Sequence, residues 1–491
     1  MTPPSAFGPA GRVVDSSVLA IVSRLALPRP PVSLAEAVDH RISTAIAIGL
    51  LQTGDRLPSE EVMAHVLGVS GLTFRQALGR LRVRRLVTTR PGRGGGTVIS
   101  PRPQDLEALA KAVFESNSAS YIADLGTTFA GLFSQGARLA ALRHDQFDDA
   151  RLDDVVRSLA EAVDPVHRRR ASTLFIVTVA SAARSETLMD ILVPVIGALQ
   201  SMVWLDESDP LVEEIVDDAI DVLRLIKSSA PEAAGRRSRE HGERLTSHLV
   251  TRRAGQYAMG ERACEGGFDG LLRRIDGVRS TLAQVAADLS HLEPTRTGRA
   301  TSLDALFCDA VDAHDDLVRG AGIAYAPDLL TDRPLWMDWW DSDSAEGLSF
   351  KSHTFSNASL QYYDYRRMAW FTEPLRTGEF SAHGPYLDRG GIERVTITLS
   401  LPLTTPAFAG SVLGADLRLG RLGEVFFGDS QPEEGGSTLL VDAHERVVAS
   451  AVPGLMPGDV VAAGRAREFA RIDPAQWPGL AQLGWHTARL G

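Results

Sequence analysis

Between Leu34 and Val98 the chain carries a run of start and stop signals that leaves few folds open. Leu34–Leu51 has apolar residues at helical spacing and ends at the turn Gln52-Thr53-Gly54-Asp55. Ser59 can cap a following helix, with Glu60 and Glu61 in the first turn where the helix dipole favours acids. That helix stops at Gly68, and Ser70 caps a third helix that runs to about Arg84. Val87–Val98 then reads as two short strands around Pro91-Gly92-Arg93-Gly94-Gly95-Gly96. Two helices joined by a tight glycine turn, followed by a hairpin, have the proportions of a winged helix-turn-helix.

The charge of this segment is unlike that of the rest. The chain of 491 residues has a net charge of −11, yet Gly71–Pro103 holds eight arginines and no acid. An acidic body with one basic block suits a small polyanion-binding module. A single arginine-rich helix is by itself an ordinary solvated face; here helix, cap, turn and hairpin occur in order. The glycines at the hairpin tip would let the backbone approach a sugar-phosphate chain closely.

The stretch IGLLQTGDRLPSEEVMAHVLGVSGLTFRQALGRLRVRRLVTTRPGRGGGTVI resembles the winged-helix domain of GntR-family bacterial transcriptional regulators. Gly54, Asp55, Leu57, Pro58, Ser59, Glu60, Ala64, Gly68, Val69, Ser70, Thr73, Arg75, Ala77, Leu78, Leu81, Arg93, Gly94 and Thr97 fall in register with the family pattern. The resemblance implies DNA contacts from Ser70, Thr73 and Arg75, and a wing tip of Arg93, Gly94 and Gly95 dipping toward the minor groove; Ser59 and Arg80 are expected to add to these contacts. Two positions depart from the pattern: Glu61 and Gly71 stand where the family usually has arginine. Arginines at 80, 82, 84, 85 and 90 are expected to offset that loss through phosphates.

Residues 104–255 are almost wholly helical in pattern, with breaks or kinks expected at Pro165, Pro194, Pro210 and Pro231. They resemble the all-helical effector domain of FadR-type members of the same family, which often hold a divalent metal through one Asp and three His. The corresponding positions here are about Ser172, Ile176, about Ala219 and His241, so one histidine remains and no metal site is expected. The bundle then reads as a spacer and dimer scaffold, with His241 at the surface or in a cap. The alternative is an apolar pocket for a metal-free effector, with Trp204 as a wall.

After Pro327 the texture changes. Trp336, Trp339, Trp340 and Trp370 cluster with Tyr362, Tyr363, Tyr365, Phe371 and Tyr386, and Asp338, Asp341, Asp364, Asp388 and Asp416 are interleaved. At least half of these rings are expected to be core. The rest suit an aromatic box with one acid for an organic cation. RVTITLSLPL and SVLGADLRLG read as neighbouring strands, and STLLVDAHERVVASAV as two strands around Asp442–Glu445. LWMDWWDSD, YYDYRRMAWFTEPLRTGEFSAHGPYLD and these strands together resemble a Cache (PDC-like) sensor domain. The resemblance implies that Trp370, Tyr386 and Asp416 hold a ligand ammonium, with Tyr363, Tyr365 and Trp339 around it. Met368 stands where the amino-acid-binding members carry an arginine for the carboxylate, which favours an amine or amino-acid derivative.

The expected architecture is a multidomain α+β chain: a flexible leader (1–30) with one short apolar helix near Ser17–Leu25, a winged helix-turn-helix (31–102), an all-α bundle (103–255) and a C-terminal α/β Cache-like domain with an antiparallel sheet (256–491). Two cysteines, Cys264 and Cys308, exclude a disulfide framework, and no apolar run is long enough to span a membrane. The expected function is a cytoplasmic, homodimeric, ligand-responsive regulator on a palindromic duplex operator, with no metal and no cofactor. Two rivals stand beside it. One is a sensor whose winged helix meets proteins, suggested by Glu61 and Gly71. The other is a regulator fused to an enzyme domain, for which the chain offers only Lys111, Lys227 and Lys351 as Schiff-base candidates, and no Walker loop, nucleophile elbow or HExxH.

Overall fold

The structure is a computed structural model that describes residues 13–25, 33–90, 96–203, 209–259, 267–291, 301–314, 316–331, 333–344, 347–355, 362–389, 391–392, 394–428, 438–450, 452, 454–462 and 464–490. The chain divides into two compact units, one of residues 1–117 and 122–249, the other of 118–121 and 250–491. Winged helix and helical bundle therefore belong to one unit.

In the first unit α1 (Ser16–Arg24), α2 (Leu34–Ala47), α3 (Glu60–Leu67), α4 (Gly71–Val83), β1 (Val87–Arg90) and β2 (Gly96–Ile99) form the winged helix. The local signals act as expected. Ser59 accepts a hydrogen bond from the Val62 amide at the start of α3, and Ser70 accepts one from Thr73 at the start of α4. Gly68 ends α3 in the left-handed region at φ 67°. β1 and β2 pair antiparallel, Val87 opposite Ile99 and Arg90 opposite Gly96.

Within the leader, the short helix read near Ser17–Leu25 is α1, and its apolar residues pack into the winged-helix core. Val14, Leu19, Val22 and Leu25 are buried in the same core as Ile42, Phe74, Leu78 and Leu81. Helical spacing puts Leu19 and Val22 on one stripe, and removing that stripe from water offsets the cost of ordering the segment. Arg24 also pairs with Asp190 at 2.7 Å, and the Arg41 Nε donates to the Leu25 carbonyl.

The bundle consists of α5 (Pro103–Glu115), α6 (Ala119–Arg143), α7 (Gln146–Ala160), α8 (Pro165–Ala182), α9 (Glu186–Gln200), α10 (Leu211–Lys227) and α11 (Pro231–Met259). Of the four prolines read as breaks, Pro165 and Pro231 open helices and Pro210 caps one, where a missing amide costs nothing; only Pro194 lies inside a helix. The bundle meets the winged helix at a close point. Gly49, at φ 76°, lies where an added Cβ would sit 2.8 Å from the Arg170 Cβ, and Arg170 donates to the Gly49 carbonyl at 2.6 Å.

The second unit holds α12 (Gly267–Leu289), α13 (Thr301–Asp312), β3 (Val318–Ala324), β4 (Met337–Ser344), β5 (Gly347–Phe350), α14 (Ala369–Thr377), β6 (Ser381–Leu387), β7 (Val395–Pro402), β8 (Val412–Leu417), α15 (Leu419–Phe427), β9 (Thr438–Val441), β10 (Val447–Ser450), β11 (Ala466–Arg471) and β12 (His486–Leu490). Six strands form an antiparallel sheet in the order β5-β4-β3-β8-β7-β6, and four more form a second sheet, β10-β9-β12-β11. Strand alternation divides the tryptophans of β4 between the two faces of the larger sheet. Trp340 stacks on Phe307 of α13 at 5.0 Å between centroids, in a core shared with α12 and α15. Trp339 points the other way, toward α14, with Met337, Tyr363, Tyr365, Trp370 and Phe371.

Candidate functional site

Two regions carry the residues singled out above, one in each unit. In the winged helix, α4 buries Phe74, Ala77, Leu78 and Leu81 and leaves Arg75 exposed. Ser70 Oγ lies 2.9 Å from Thr73 Oγ1, so both hydroxyls are already engaged at the helix start. Arg75 Nη1 approaches Glu60 to 3.5 Å in an exposed pair. Ser59 serves α3 as its cap. Arg93, Gly94 and Gly95 lie outside the described residues.

The basic block is less uniform than its sequence implies. Asp39, on the buried face of α2, is met by Arg84 at 3.2 Å and Arg80 at 3.7 Å, and Arg84 also donates to Ser43 at 2.9 Å. A nearly dry carboxylate needs such partners. Arg80 and Arg84 thus reach Asp39 while their side chains stay 52% and 40% exposed. Arg82 donates from Nε to the Leu78 carbonyl of its own helix.

Inside the bundle His241 is 1% exposed, not at the surface or in a cap. Phe133 and Phe175 flank its ring, and its Nδ1 lies 3.2 Å from Asp218. Burial pushes the Asp218 carboxyl upward, but hydrogen bonds from His241 and Arg244 hold it below the ordinary range. Ser172, Ile176 and Ala219 are buried as well. Among the described residues no group of three or more His, Cys, Asp or Glu side chains could hold a metal ion. Trp204 lies outside the described residues.

The second region is a small cavity in the C-terminal unit, with a volume of about 10 Å³, lined by Met337, Trp339, His353, Tyr363, Trp370, Tyr386, Asp388, Thr398 and Asp416. The sheet builds one wall. Gly322 of β3 lies opposite Trp339 of β4 on one side and Gly414 of β8 on the other. An added Cβ would stand 2.7 Å from the Trp339 ring at either glycine, so the indole lies flat across a shelf that only glycine can provide. Two residues beyond Gly414 on the same face, Asp416 pairs across the ladder with Thr398 of β7. Trp370 of α14 covers the shelf, its ring centroid 5.9 Å from that of Trp339.

The polar groups form two linked pairs. Tyr363 donates its hydroxyl to Asp388 Oδ1 at 2.8 Å, and the Ile392 amide donates to the other oxygen at 2.8 Å. Thr398 donates to Asp416 Oδ1 at 2.6 Å, and the Tyr386 hydroxyl stands 2.9 Å from the same Thr398 oxygen. Burial, and then the charge of Asp388, push the Asp416 carboxyl well above its ordinary value. Burial and Asp388 likewise raise Tyr363, and burial and Asp416 raise Tyr386. His353 is pushed down to about 4 by burial and the Lys351 charge, so it is neutral at physiological pH. The indole nitrogens of Trp339 and Trp370 and the His353 Nδ1 are buried with no hydrogen-bond partner among the described residues. The cavity thus holds two carboxyl groups and aromatic faces, and no arginine or lysine among the described lining residues.

Five of the six residues read from sequence line this cavity: Trp339, Tyr363, Trp370, Tyr386 and Asp416. Tyr365 does not. Its hydroxyl donates to the Tyr325 carbonyl at 2.8 Å and its ring packs on Phe371 at 4.9 Å, so it is a buried brace for the loop before α14. Asp388, Thr398, His353 and Met337 are lining residues that the sequence reading did not select. For Thr398 a signal existed, because pairing its strand with that of Asp416 brings the two side chains to one face. Arg366, beside the Met368 position, pairs with Asp364 at 2.7 Å and is not among the lining residues.

Residues 34–96 match the bacterial regulatory proteins of the gntR family, and residues 130–244 match the FCD domain. The "Putative HTH-type transcriptional regulator RmpR" of Mycobacterium gastri is 33% identical over 226 residues, which is 45% of this chain and 82% of that protein. Among solved structures, E. coli McbR/YncC is 20% identical with a TM-score of 0.27, over 45% of this chain and 99% of that one. The ligand-binding domain of the Pseudomonas aeruginosa PAO1 amino-acid chemoreceptor PctC, in complex with GABA, is 14% identical with a TM-score of 0.30, over 50% of this chain and 99% of that one.

Proposed function

The chain belongs to the GntR family of bacterial regulatory proteins and carries an FCD domain, so it is a DNA-binding transcriptional regulator and not an enzyme; from that premise we propose that it acts as a homodimer on a palindromic operator and that its C-terminal unit, a Cache-like sensor, sets occupancy by binding a small amine or amino-acid derivative. One winged helix covers one half-site, and a two-fold dimer matches a palindrome. The DNA contacts of this reading are Ser59, Ser70, Thr73, Arg75, Arg80, Arg93, Gly94 and Gly95. Among the described residues no helix is long and apolar enough to cross a membrane, and the ligand would be drawn from the compartment of the DNA.

One observation carries the sensing half: two buried carboxyl groups, Asp388 and Asp416, share an aromatic cavity that has no cationic side chain among its described lining residues. Two acids in a dry space repel each other, and a cation between them relieves that repulsion. Trp339, Trp370, Tyr363 and Tyr386 add ring faces, each worth about 0.5–2 kcal/mol to a cation over it. The sheet order, the helices against one face and the small aromatic and acidic cavity on the other support the Cache-like reading. The ligand can change operator affinity only through its differential affinity for two forms of the dimer.

The test is a thermal-shift screen of amines and amino acids on the full chain. A ligand at 100 times its dissociation constant should stabilise by about 2.7 kcal/mol. Trp370→Ala and Asp416→Ala should lose the response. A hit that shifts both variants as it shifts the wild type rules the cavity out as its binding place. A mobility shift on duplex upstream of the protein's own gene tests the other half; protein contact by the winged helix becomes the better reading if no complex forms at low salt with or without the hit.

A further inference from the structure

The free face of α4 has an unexpected chemistry. Leu72, Gln76, Gly79 and Val83 follow one another at spacings of four, three and four, which aligns them on one side of the helix. Leu72 is 61% exposed and Val83 84% exposed. Gln76 is exposed, and around Gly79 nothing lies within 4 Å of an added Cβ. The buried residues Phe74, Ala77, Leu78 and Leu81 take the opposite side. Arg80 and Arg84 turn to Asp39, and Arg82 Nε is held by the Leu78 carbonyl. Arg75 is the charge that accompanies Leu72 and Gln76 in the first two turns, and Gly71 contributes none.

The N-terminal residues of the second helix of a helix-turn-helix meet base edges in the major groove. A leucine there has no hydrogen bond to offer. The apolar group that a major groove presents is the C5-methyl of thymine. A glutamine amide one turn further can meet adenine in two hydrogen bonds, one to N6 and one to N7. An arginine would instead seek guanine.

We propose that the recognition helix reads its half-site through a thymine methyl against Leu72 and an adenine against Gln76, in place of paired guanine contacts. This rests on the operator-binding reading above. Leu72 and Gln76, one helical turn apart, fix a thymine and an adenine within about two base steps of each other, since a turn rises about 5.4 Å. Gly79 lets the helix backbone sit close to the duplex behind them.

The experiment uses the full chain. Duplexes are selected from a randomised library, and the enriched half-site is then remade with uracil for the thymine or 7-deazaadenine for the adenine. Wild type should lose roughly three- to tenfold in affinity for the uracil duplex and roughly tenfold for the deaza duplex. Leu72→Ala should bind thymine and uracil duplexes equally, and Gln76→Ala should be indifferent to the deaza change. Leu72→Arg should shift selection at that position toward guanine. Both side chains are exposed, and unchanged melting curves confirm that the variants fold. Enrichment of guanine at these positions by wild type, or indifference of wild type to loss of the methyl, overturns the proposal. Enrichment of no duplex at low salt overturns the operator reading itself, and this proposal with it.

Discussion

Arg84, at the end of the recognition helix, holds its guanidinium 3.2 Å from the buried carboxylate of Asp39 on α2. Arg80 stands 3.7 Å from the same carboxylate. Part of the positive charge that marks the front of the chain as a DNA-binding segment therefore neutralises the protein's own core. The basic block has two jobs, and mutations should separate them.

Arg84→Ala should cost stability first. It removes the nearest cation from a carboxylate that cannot reach water freely, and with it the hydrogen bond that Arg84 donates to Ser43, for about 1–3 kcal/mol. Arg75→Ala breaks only an exposed pair with Glu60 and should leave stability within about 0.5 kcal/mol. It should instead weaken operator binding and reduce the salt slope by about one. Urea midpoints and mobility shifts on the same two variants check this; Arg84→Ala as stable as wild type would remove the structural role.

What the sequence revealed and what it hid divide along the range of the interactions. Ser59, Gly68 and Ser70 act within a few residues, so caps, turns and helix ends were legible. Trp370, Tyr386 and Asp416 were found because the resemblance carried their order along the chain. Asp388 accepts hydrogen bonds from Tyr363 and from Ile392, and nothing local distinguishes it from the other interleaved acids. Asp39 escaped notice because an acid on an apolar helix stripe looks like an exception until its arginines, 41 and 45 positions away, are brought to it. The short apolar helix near Ser17–Leu25 was legible in the leader, but the core partners of Leu19, Val22 and Leu25 are met only in the folded unit.

Gly49→Ala should destabilise the first unit by about 1–3 kcal/mol. Its φ of 76° disfavours any side chain, and the new methyl carbon would press at 2.8 Å on the Arg170 Cβ, which is held by its own helix. Chemical denaturation gives the number. A variant with the wild-type midpoint would mean that the helix end relaxes away from α8 without cost.

Gly414→Ala should abolish the ligand response while leaving the chain folded. Its methyl would stand 2.7 Å from the Trp339 ring and lift the indole from the sheet into the cavity. Gly423→Ala, on α15, is the control, because nothing lies within 4 Å of its added Cβ and a helical alanine should add up to about 1 kcal/mol of stability. Thermal shifts with a confirmed hit decide it, and an unimpaired Gly414→Ala would place the ligand elsewhere.

The pH dependence of the empty protein should bear the sign of Asp416. Burial and the neighbouring Asp388 raise its carboxyl above the ordinary carboxylate range. The unfolded chain gives up this proton near pH 4, while the folded chain keeps it to higher pH. Between those two values the folded state binds more protons, so stability falls as pH rises, and it levels off only above the folded value. His353 has the opposite sign. Its folded value is lowered to about 4, so its contribution is lost as pH falls below about 6.5. Asp416→Asn removes the first titration and keeps the second. Urea unfolding of both proteins from pH 5 to 8 should then show the variant's advantage over wild type growing with pH, about 1.4 kcal/mol for each unit by which the folded pKa exceeds the unfolded one. A cationic ligand should release a proton as it binds wild type in the lower part of this range, read by calorimetry in buffers of different ionisation enthalpy. A constant gap between the two proteins across the range would mean that Asp416 is already ionised in the empty cavity.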